Sequence, residues 1–296
     1  MDGLQLQRVR SFNRSVTQRV GALEASYLKR GRPLGEARLL FEIGPDGADL
    51  RGLRDRLGLD SGYLSRLLNS LTTQGLVELR KDSGDGRLRR AILTRKGRAE
   101  VAAYDRLSDA LAASILGPLD SGECDRLTAA MGEVERLLKA GAVEVAFVAP
   151  ASAEARWCLG EYFRELAQRF EAGFDPARDR TAPDEDLTPP AGWFVVARLE
   201  GRPVGCGALK RIDDATGEIK RVWTAPSARG LGVARRMLRQ LEGSAHETGL
   251  TTLRLDTNKA LTEAHALYRK EGYREVGRFN DNPYAHHWFE KQLSSS

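Results

Sequence analysis

A glycine-rich turn between two regular elements is the segment of this chain best suited to chemistry. Residues 218–224 are predicted to form a strand, because β-branched and aromatic residues there are bounded by glycine and proline. Apolar residues recur at helical spacing from Val233 onward. Gly230 and Gly232 lie between, so backbone amides can approach an anion at the helix start, where the helix dipole adds attraction. The sequence therefore predicts a diphosphate-binding loop.

The spacing of these glycines excludes two common phosphate-binding loops. A Walker loop ends in Gly-Lys followed by Ser or Thr, whereas Gly232 is followed by valine and alanine. A dinucleotide fingerprint needs three glycines, and only Gly230 and Gly232 are present. The loop instead fits R/Q-x-x-G-x-G/A, with Arg229, Gly232 and Ala234 at its defined positions. This pattern resembles the acetyl-CoA loop of the GNAT N-acetyltransferases.

A second segment downstream resembles the same family. A predicted strand over 251–258 ends at Asn258, and a predicted helix over 264–276 follows. A predicted hairpin over 192–209 matches the strands that precede the loop in the family. The resemblance covers residues 144–293, about half of the chain. The residues that match the family's N…A…LY…G(Y/F) signature are Asn258, Leu267, Tyr268, Gly272 and Tyr273.

The resemblance implies direct transfer of an acetyl group from acetyl-CoA to an amine, without a covalent enzyme intermediate. Such a transfer needs a deprotonated amine, stabilisation of the tetrahedral oxyanion and a proton for the leaving thiolate. It makes Glu218 the candidate general base and Tyr268 the candidate general acid. The alternatives are a solvent-facing strand carboxylate for Glu218 and a tyrosine that packs under the loop for Tyr268.

The resemblance also implies a set of cofactor contacts. Backbone amides around Val222 and Thr224 are expected to bind the pantetheine and to polarise the thioester carbonyl. Asn258 is expected to contact the cofactor, or to cap the following helix. No spacing of histidine, cysteine and carboxylate residues matches a metal site, so we expect acetyl-CoA and no metal. The predicted cofactor-binding residues are Val222, Trp223, Thr224, Arg229, Gly230, Leu231, Gly232, Val233, Ala234, Asn258 and Tyr268.

Two other features of this half leave alternatives open. A proline-rich acidic loop over 175–192 is expected near the acceptor pocket, where Asp184, Glu185 and Asp186 would favour a cationic acceptor. The alternative is a solvated loop with no such role. His265 is expected on the helix surface, and the alternative is that it faces the cofactor.

Length and composition indicate a soluble chain with two domains. The chain has 296 residues, of which 41% are hydrophobic and 29% charged. No apolar run could span a membrane, and the N-terminus lacks the apolar core of a signal peptide, so no membrane association is expected. Three separated cysteines without a CxxC pair favour reduced thiols in a cytoplasmic protein. The net charge of +5 is compatible with an anionic partner but does not by itself indicate nucleic acid.

The N-terminal half is predicted to contain a helical unit followed by a β-hairpin. Apolar residues at steps of three and four predict a long helix over 6–30 and a shorter one over 34–43. A helix over 49–57 and a second helix that ends at Gln74 follow, and Asp60 or Ser61 would cap the second. Two short strands, 76–81 and 87–93, flank a glycine-rich tip. This order predicts a helix-turn-helix with a wing.

The polar residues of this unit are placed where a winged helix contacts DNA. The first turns of a recognition helix contact base edges and phosphates, and a basic wing suits phosphates or the minor groove. The alternative for the wing is a solvated hairpin face. The predicted DNA-binding residues are Ser61, Tyr63, Ser65 and Arg66 on the helix and Lys81, Arg87 and Arg89 on the wing.

The segments 61–79 and 85–97 resemble the winged-helix core of the MarR transcription regulators. The family's wing signature, D-x-R…L-T-x-x-G, is matched here by Asp85, Arg87, Leu93, Thr94 and Gly97. The resemblance covers residues 4–140. It implies a homodimer whose first and last helices interlock and which binds double-stranded operator DNA. Members often bind small aromatic acids, so such an acid is a candidate ligand.

Together the two resemblances predict a two-domain α/β chain. A mainly α, MarR-like winged helix-turn-helix at 1–140 would bind DNA and dimerise. An α/β GNAT acyltransferase fold with a mixed, mostly antiparallel sheet would occupy 143–293. The predicted function is a transcriptional regulator that is also an acetyl-CoA-dependent N-acetyltransferase acting on an amine. Two alternatives stay open, namely a GNAT domain that only senses acetyl-CoA and a winged helix that only dimerises the enzyme.

Overall fold

The protein is described from a computed structural model that covers residues 2–81, 89–171, 173–175 and 182–293. Its backbone packing divides the chain into two units, residues 1–130 and residues 131–296. The border lies within a helix, Ser121–Gly141. The expected domain limits, 1–140 and 143–293, stay predictions.

Four helices begin the first unit: α1 (Gly3–Arg19), α2 (Leu34–Ile43), α3 (Leu50–Leu57) and α4 (Ser61–Thr73). The last three confirm the helices predicted from periodicity. Asp60 is the N-cap of α4, since its carboxylate accepts a hydrogen bond from the amide of Tyr63 at 2.8 Å.

The prediction of one helix over 6–30 was wrong. Helix α1 ends at Arg19, and Gly21 follows with a φ of +66°, a left-handed conformation that an α-helix does not continue through. A short 3₁₀ turn, Tyr27–Lys29, occupies the end of the predicted span. The apolar spacing persisted across the break, so periodicity alone did not reveal it.

A small antiparallel sheet completes the winged helix. Its strands are β1 (Ala48–Asp49), β2 (Val77–Lys81) and β3 (Arg89–Leu93), in the order β1-β3-β2. The pairing of β2 with β3 confirms the predicted hairpin, whose tip, residues 82–88, lies outside the described residues. Strand β1 was not predicted, because two residues are too short for a periodic pattern.

Two long helices follow, α5 (Arg95–Leu116) and α6 (Ser121–Gly141). The start of α5 explains the spacing of Thr94 and Gly97 in the wing signature. The Thr94 hydroxyl accepts from the Gly97 amide at 3.0 Å and donates to the Gly75 carbonyl at 2.7 Å. A side chain on Gly97 would come within 2.1 Å of the Leu76 carbonyl oxygen, so only glycine fits against the hairpin.

A buried carboxylate on α5 joins two arginines from the segment before α2. Glu100 accepts hydrogen bonds from Arg30 at 2.7 Å and 2.9 Å and from Arg32 at 2.6 Å. Arg32 also donates to Gln74 at the end of α4, at 2.6 Å. The hydrogen bond from Arg30 lowers the pKa of Glu100, and Arg32 adds to this against the opposing effect of burial. The cluster therefore links α4, α5 and the segment that precedes α2.

The second unit is built on a seven-stranded sheet in the order β4-β5-β6-β7-β8-β10-β9. Every described strand pair is antiparallel except β7 with β8, which confirms a mixed, mostly antiparallel sheet. Helices α7 (Ala153–Arg169) and α8 (Val233–Glu247) pack on it. The strands are β4 (Val143–Phe147), β5 (Gly192–Leu199), β6 (Arg202–Arg211), β7 (Thr216–Thr224), β8 (Thr252–Thr257), β9 (Arg274–Val276) and β10 (His287–Gln292).

The helix predicted over 264–276 is shorter than expected. Helix α9 (Thr262–Lys270) ends before Gly272, whose φ is +91°, and residues 274–276 form β9 instead. The glycine reverses the chain and lets Tyr273 enter the core, where it is 2% exposed. Among the described helices, none has the length and apolarity needed to span a membrane.

The Glu100 cluster yields a stability prediction. Replacing Glu100 with glutamine removes the acceptor charge that two arginines share, so we expect the free energy of unfolding of the first unit to fall by about 2 kcal/mol at pH 7. Because folding lowers the pKa of Glu100, its contribution is present above the ordinary glutamate pKa and is lost as pH falls through the lowered value. The difference between Glu100→Gln and the unsubstituted chain should therefore shrink toward acid pH.

Denaturation followed by far-UV circular dichroism reports the unfolding of both units. All four tryptophans lie in the second unit, so their fluorescence reports that unit alone, and the stability of the first unit follows from comparing the two signals. The matched control is Glu78→Gln, whose pair with Arg80 on β2 is solvent-exposed. Equal stabilities of Glu100→Gln and Glu78→Gln at pH 7 would contradict the role given to the cluster.

Candidate functional site

The second unit opens where its two parallel strands separate. Strand β7 pairs with β8 only at Thr216–Thr252, Gly217–Leu253 and Glu218–Arg254, within residues that the structure describes completely. Beyond Glu218 the strands diverge, so the backbone groups of 219–224 that face β8 are not paired with it. A wedge-shaped opening results in the middle of the sheet.

A bulge in β7 accompanies the divergence. The pairing of β6 with β7 shifts register between Cys206 and Ala208, and Arg221 has a φ of +56°. This left-handed conformation is strained for a residue with a side chain. The Arg221 side chain is buried and donates to the carbonyl of Ala182 at 3.0 Å. The bulge changes the direction of the amides and side chains that follow it.

A cleft of about 550 Å³ lies along the end of β7, the glycine loop and the start of α8. The structure thus brings together all of the predicted cofactor-binding residues except Asn258. Those that line the cleft are Val222, Trp223, Thr224, Arg229, Gly230, Leu231, Gly232, Val233, Ala234 and Tyr268. Their role as cofactor contacts stays a prediction.

The glycine loop has the geometry that the sequence predicts. Gly230 and Gly232 have φ values of +78° and +75°, and a side chain added to either would point into open space. Gly232 is the N-cap of α8, so the amides of the first helical turn have no partner within the helix. These amides line the cleft together with the positive end of the helix dipole.

A network of charged side chains, not predicted from the sequence, holds the loop in place. Arg229 donates to both carboxylate oxygens of Glu165 at 2.6 Å, and Glu165 also accepts from Trp223 at 2.9 Å and from Arg169 at 3.1 Å. Burial would raise the pKa of Glu165, but these hydrogen bonds outweigh it and lower the pKa. Arg136 donates to the carbonyl of Gly230 at 3.2 Å. Five basic and three acidic residues line the cleft, which leaves two positive charges for an anion.

Tyr268 lies where this cleft meets a second cavity of about 80 Å³, since it lines both. Its side chain is buried, with ring centroids of Tyr273 and Phe289 each at 5.9 Å. Burial raises the pKa of its hydroxyl, and the nearby Asp256 raises it further. Tyr268 is therefore protonated at neutral pH, and its role as a general acid stays a prediction.

Glu218 lines a third cavity, of about 210 Å³, and does not simply face solvent. Lys220 and Asn282 line both this cavity and the one of about 80 Å³, so the three cavities are neighbours along the opening between β7 and β8. The Glu218 carboxylate is 3.2 Å from the ammonium of Lys220. Its role as a base stays a prediction.

Asn258 and His265 lie beside the turn before α9 and do not line the large cleft. The amide side chain of Asn258 donates to the carbonyl of Tyr284 at 2.8 Å and accepts from the amide of Ala260 at 2.9 Å, so it orders the turn before α9. It lines the cavity of about 80 Å³ and not the large cleft. His265 was expected on the helix surface, which was wrong. It is buried, 2.9 Å from the carbonyl of Asn258, and its ring centroid is 4.4 Å from that of His287.

Asp256 is a candidate site residue that the sequence analysis missed. It lines the cavity of about 80 Å³ and accepts hydrogen bonds from Asn280 at 2.7 Å and Asn282 at 2.8 Å. The available signal was a carboxylate near the end of β8, two residues before Asn258. Among the described residues, no group of three or more metal-ligating side chains is close enough together to hold a metal ion.

In the first unit, α4 presents its predicted contact residues to solvent. Ser61, Tyr63, Ser65 and Arg66 are exposed, while its leucine stripe is buried. The guanidinium of Arg66 lies 5.5 Å from the Tyr63 ring centroid, and the Ser65 hydroxyl donates to the Ser61 carbonyl at 2.8 Å. The first turns of α4 therefore form a continuous polar surface.

On the wing, Arg89 is exposed at the start of β3, whereas its neighbour Arg90 donates to the carbonyls of Asp46 and Gly47. Lys81 ends β2, and Arg87 lies outside the described residues. Arg90 thus ties β3 to the loop before β1, whereas Arg89 is exposed, and the contact of Arg89 with DNA stays a prediction.

Comparisons with known proteins match the two parts of the chain to two different families. Residues 159–273 match the acetyltransferase (GNAT) family, and residues 30–88 match the MarR family. An IAA acetyltransferase of Azospirillum brasilense is 37% identical over 117 residues, which are 39% of this chain and 76% of that protein. An uncharacterized N-acetyltransferase of Mycobacterium tuberculosis (strain ATCC 25618 / H37Rv) is 30% identical over 35% of this chain and 66% of that protein.

Solved structures of both kinds are similar in part. An acetyltransferase of the GNAT family from Staphylococcus aureus has a TM-score of 0.46 and 18% identity, over 52% of this chain and 100% of that one. Streptococcus pneumoniae FabT, in complex with DNA, has a TM-score of 0.40 and 21% identity, over 45% of this chain and 96% of that one. The chain is a GNAT acetyltransferase. It belongs to that family through its C-terminal part, and it carries a MarR family domain in its N-terminal part.

Proposed function

We propose that the chain is a homodimeric, DNA-binding regulator that also transfers the acetyl group of acetyl-CoA to a small amine. The observation that carries the enzymatic part is the series of three cavities along the opening between β7 and β8. The diphosphate loop lies at one end, Tyr268 in the middle and Glu218 at the other end.

The large cleft suits acetyl-CoA in shape and charge. The amides at the start of α8 and the positive charge of the lining would bind the diphosphate. The backbone of Val222 and Thr224, beyond the bulge, is not paired with β8 and is available to the pantetheine amides and the thioester carbonyl. An amide that donates to this carbonyl would stabilise the oxyanion that forms on it.

The reaction needs two proton transfers, and the proposal assigns one to Glu218 and the other to Tyr268. The amine nitrogen attacks the thioester carbonyl carbon, and its proton passes to Glu218, directly or through water. The carbon–sulfur bond then breaks, and the leaving thiolate takes the proton of the Tyr268 hydroxyl. The Tyr268 hydroxyl is protonated at neutral pH, so the proton is present when the thiolate forms.

The proposal of a homodimer rests on uncovered apolar side chains. None of the 17 residues of α1 is buried, and its apolar residues stand exposed, from Leu4 at 73% to Val16 at 39%. On α6, Met131, Leu137 and Leu138 are also at least half exposed. Surfaces of this kind mark protein–protein contacts. A second copy of the chain that covers both helices matches the interlocking that the MarR resemblance implies.

The proposal of DNA binding rests on α4 and the wing. Helix α4 buries its leucines on one face and exposes polar residues of its first turns on the other. A recognition helix presents its N-terminal residues to the major groove in this way. Arg66 can donate to base edges, and Arg89 can neutralise a phosphate.

The loop yields a binding prediction. Gly232→Asp places a carboxylate in the open space beside the helix start, where it would repel a diphosphate. Aspartate tolerates a positive φ better than most residues, so the fold should survive. We expect the affinity for acetyl-CoA, measured by calorimetry, to fall by about 100-fold or more, since both space and charge are lost.

The matched control is Gly243→Asp, which places the same charge on the exposed face of the same helix. It should bind acetyl-CoA as the unsubstituted chain does. Equal affinities of Gly232→Asp and Gly243→Asp would remove the loop from the binding site.

Tyr268→Phe separates binding from chemistry. The ring that packs against Tyr273 and Phe289 stays, and only the hydroxyl is lost. We expect acetyl-CoA affinity to be unchanged while kcat falls by about 100-fold or more, the usual contribution of a positioned acid. The measurement is thiol release with an amine that the enzyme accepts.

Tyr273→Phe is the control, because its hydroxyl bonds to Glu242 and Tyr273 does not line any of the three cavities. It should keep the kcat of the unsubstituted enzyme. A Tyr268→Phe enzyme with unchanged kcat would show that Tyr268 only packs and that another group supplies the proton.

The DNA-binding residues can be distinguished by salt dependence. Arg89→Ala should weaken binding to all DNA sequences and reduce the slope of log K against log salt by about 1, the loss of one phosphate contact. Arg66→Ala should instead change which sequences are preferred. Fluorescence anisotropy with promoter fragments measures both, and Arg126→Ala, on the exposed face of α6, is the control. If the slope is the same for Arg89→Ala and the control, the wing does not contact phosphates.

A further inference from the structure

The charges beside the glycine loop of the large cleft cancel one another. Arg229 lies 2.6 Å from Glu165. Arg169 lies 3.1 Å from Glu165 and 2.6 Å from Glu263. All four residues line the cleft, so two cations share two carboxylates and this part of the lining has no net charge.

The other cations of the cleft are Arg136, Arg235 and Lys270, and they differ in their partners. Arg136 is 2.6 Å from Glu133, and Arg235 is 2.8 Å from Glu271. Lys270 forms no ion pair with any carboxylate that the structure describes. Its positive charge is therefore available to an anionic ligand.

Helical spacing turns Lys270 toward the cleft. Glu263, Leu267 and Lys270 are four and three residues apart, so they lie on one side of α9, and all three line the cleft. Lys270 is the last residue of α9 and is exposed. Its flexible four-carbon stem lets the ammonium adjust to the position of an anion.

The end of α9 lies against the first turns of α8. The carboxylate of Glu271, the residue after Lys270, is 2.8 Å from Arg235 and 3.8 Å from Arg239. Arg235 is the third residue of α8, whose N-cap is Gly232. Lys270 therefore lies beside the helix start to which the diphosphate is assigned, but on the neighbouring helix and not in the loop.

Acetyl-CoA carries a second phosphate group in addition to its diphosphate. The diphosphate is attached to the 5′ carbon of the ribose, and a separate phosphate is attached to the 3′ carbon of the same ring. The amides at the start of α8 suit the diphosphate, so a cation to the side of this helix start suits the second group. Lysine binds phosphate as a point charge, which does not require the fixed geometry of an arginine pair.

We infer that Lys270 binds the 3′-phosphate of acetyl-CoA and so determines which form of the cofactor the chain accepts; this rests on the proposed donor function of the cleft. A phosphate monoester carries about two negative charges at neutral pH, and the lysine carries one positive charge. The cofactor without its 3′-phosphate keeps every contact with the loop and loses only this one. Lys270 is thus a specificity-determining residue for the 3′-phosphorylated donor.

The first measurement compares two forms of the donor. Calorimetry gives the dissociation constants of acetyl-CoA and of the acetyl thioester of 3′-dephospho-CoA, without an acceptor amine, so that no turnover interferes. We expect acetyl-CoA to bind about tenfold more tightly at low ionic strength, the contribution of one charge-assisted contact. Because Lys270 is exposed, added salt should reduce this ratio.

Substitutions then assign the preference to one side chain. Lys270→Met keeps most of the side-chain volume and removes the charge, so the ratio of the two dissociation constants should fall by about tenfold, through weaker binding of acetyl-CoA alone. Lys270→Arg keeps the charge and should keep the preference. The matched control is Lys259→Met, because Lys259 is an exposed lysine of the same unit that lies outside the cleft and 3.6 Å from Glu171. It should leave the ratio unchanged.

The outcomes separate this inference from the proposed function. If both forms bind the unsubstituted chain equally well, the inference is overturned and the donor site stands. A Lys270→Met chain that loses affinity for both forms equally would also overturn it, since Lys270 would then act on the diphosphate. A ratio that falls as far in Lys259→Met as in Lys270→Met would show a general effect of charge and would overturn it too. Binding of neither form would overturn the inference together with the proposed donor site.

Discussion

The separation of β7 from β8 is the constraint on which the rest of the second unit depends. A parallel pair that continued to Thr224 would have used the backbone groups of both strands and closed the sheet. Instead the pairing ends at Glu218, and the strained residue Arg221 marks the bulge where β7 changes direction. The strain is offset locally, since the Arg221 side chain is buried and bonded to the carbonyl of Ala182. The three cavities all lie along this opening.

Local contacts fix each strand near the point where the pair separates. Gly217 lies where a side chain would come within 2.7 Å of Leu209 and 3.0 Å of Leu250, so β7 sits close to the core just before it diverges. On the other strand, Asn258 is bonded to the carbonyl of Tyr284 and its own carbonyl contacts buried His265. The position of each strand end is thus set by packing on its own side, which leaves the space between them available to a ligand.

The sequence predicted those parts of the site that depend on local conformation. The loop was found because a positive φ and a close approach to an anion both require glycine, at Gly230 and Gly232. The N-cap at Asp60 is local in the same sense, because its carboxylate accepts from an amide three residues further on. The order of helices and strands in the winged helix was predicted from such local signals. The helix expected to reach residue 30 ends at Arg19 instead, before Gly21.

Other parts of the site depend on register and could not be predicted. Lys210, Glu218 and Arg254 are direct partners on β6, β7 and β8. Arg254 lies 36 positions after Glu218, so this row exists only once the pairing of β7 with β8 is known. Glu165 contacts Arg229 across 64 positions, and no local pattern indicates that pair. His265 lies three positions before Tyr268, on the buried face of α9, and it packs against His287, 22 positions away, which no local pattern indicates.

The most direct test of this account is hydrogen–deuterium exchange with and without acetyl-CoA. If the donor lies between the separated strands, amides in peptides that cover 221–224 and 229–234 should exchange more slowly when it is bound. The paired start of β8, residues 252–254, should show no change, because its ladder is complete without a ligand. Protection confined to other parts of the chain, with 221–224 and 229–234 unaffected at saturating acetyl-CoA, would contradict the claim that this opening is the donor site.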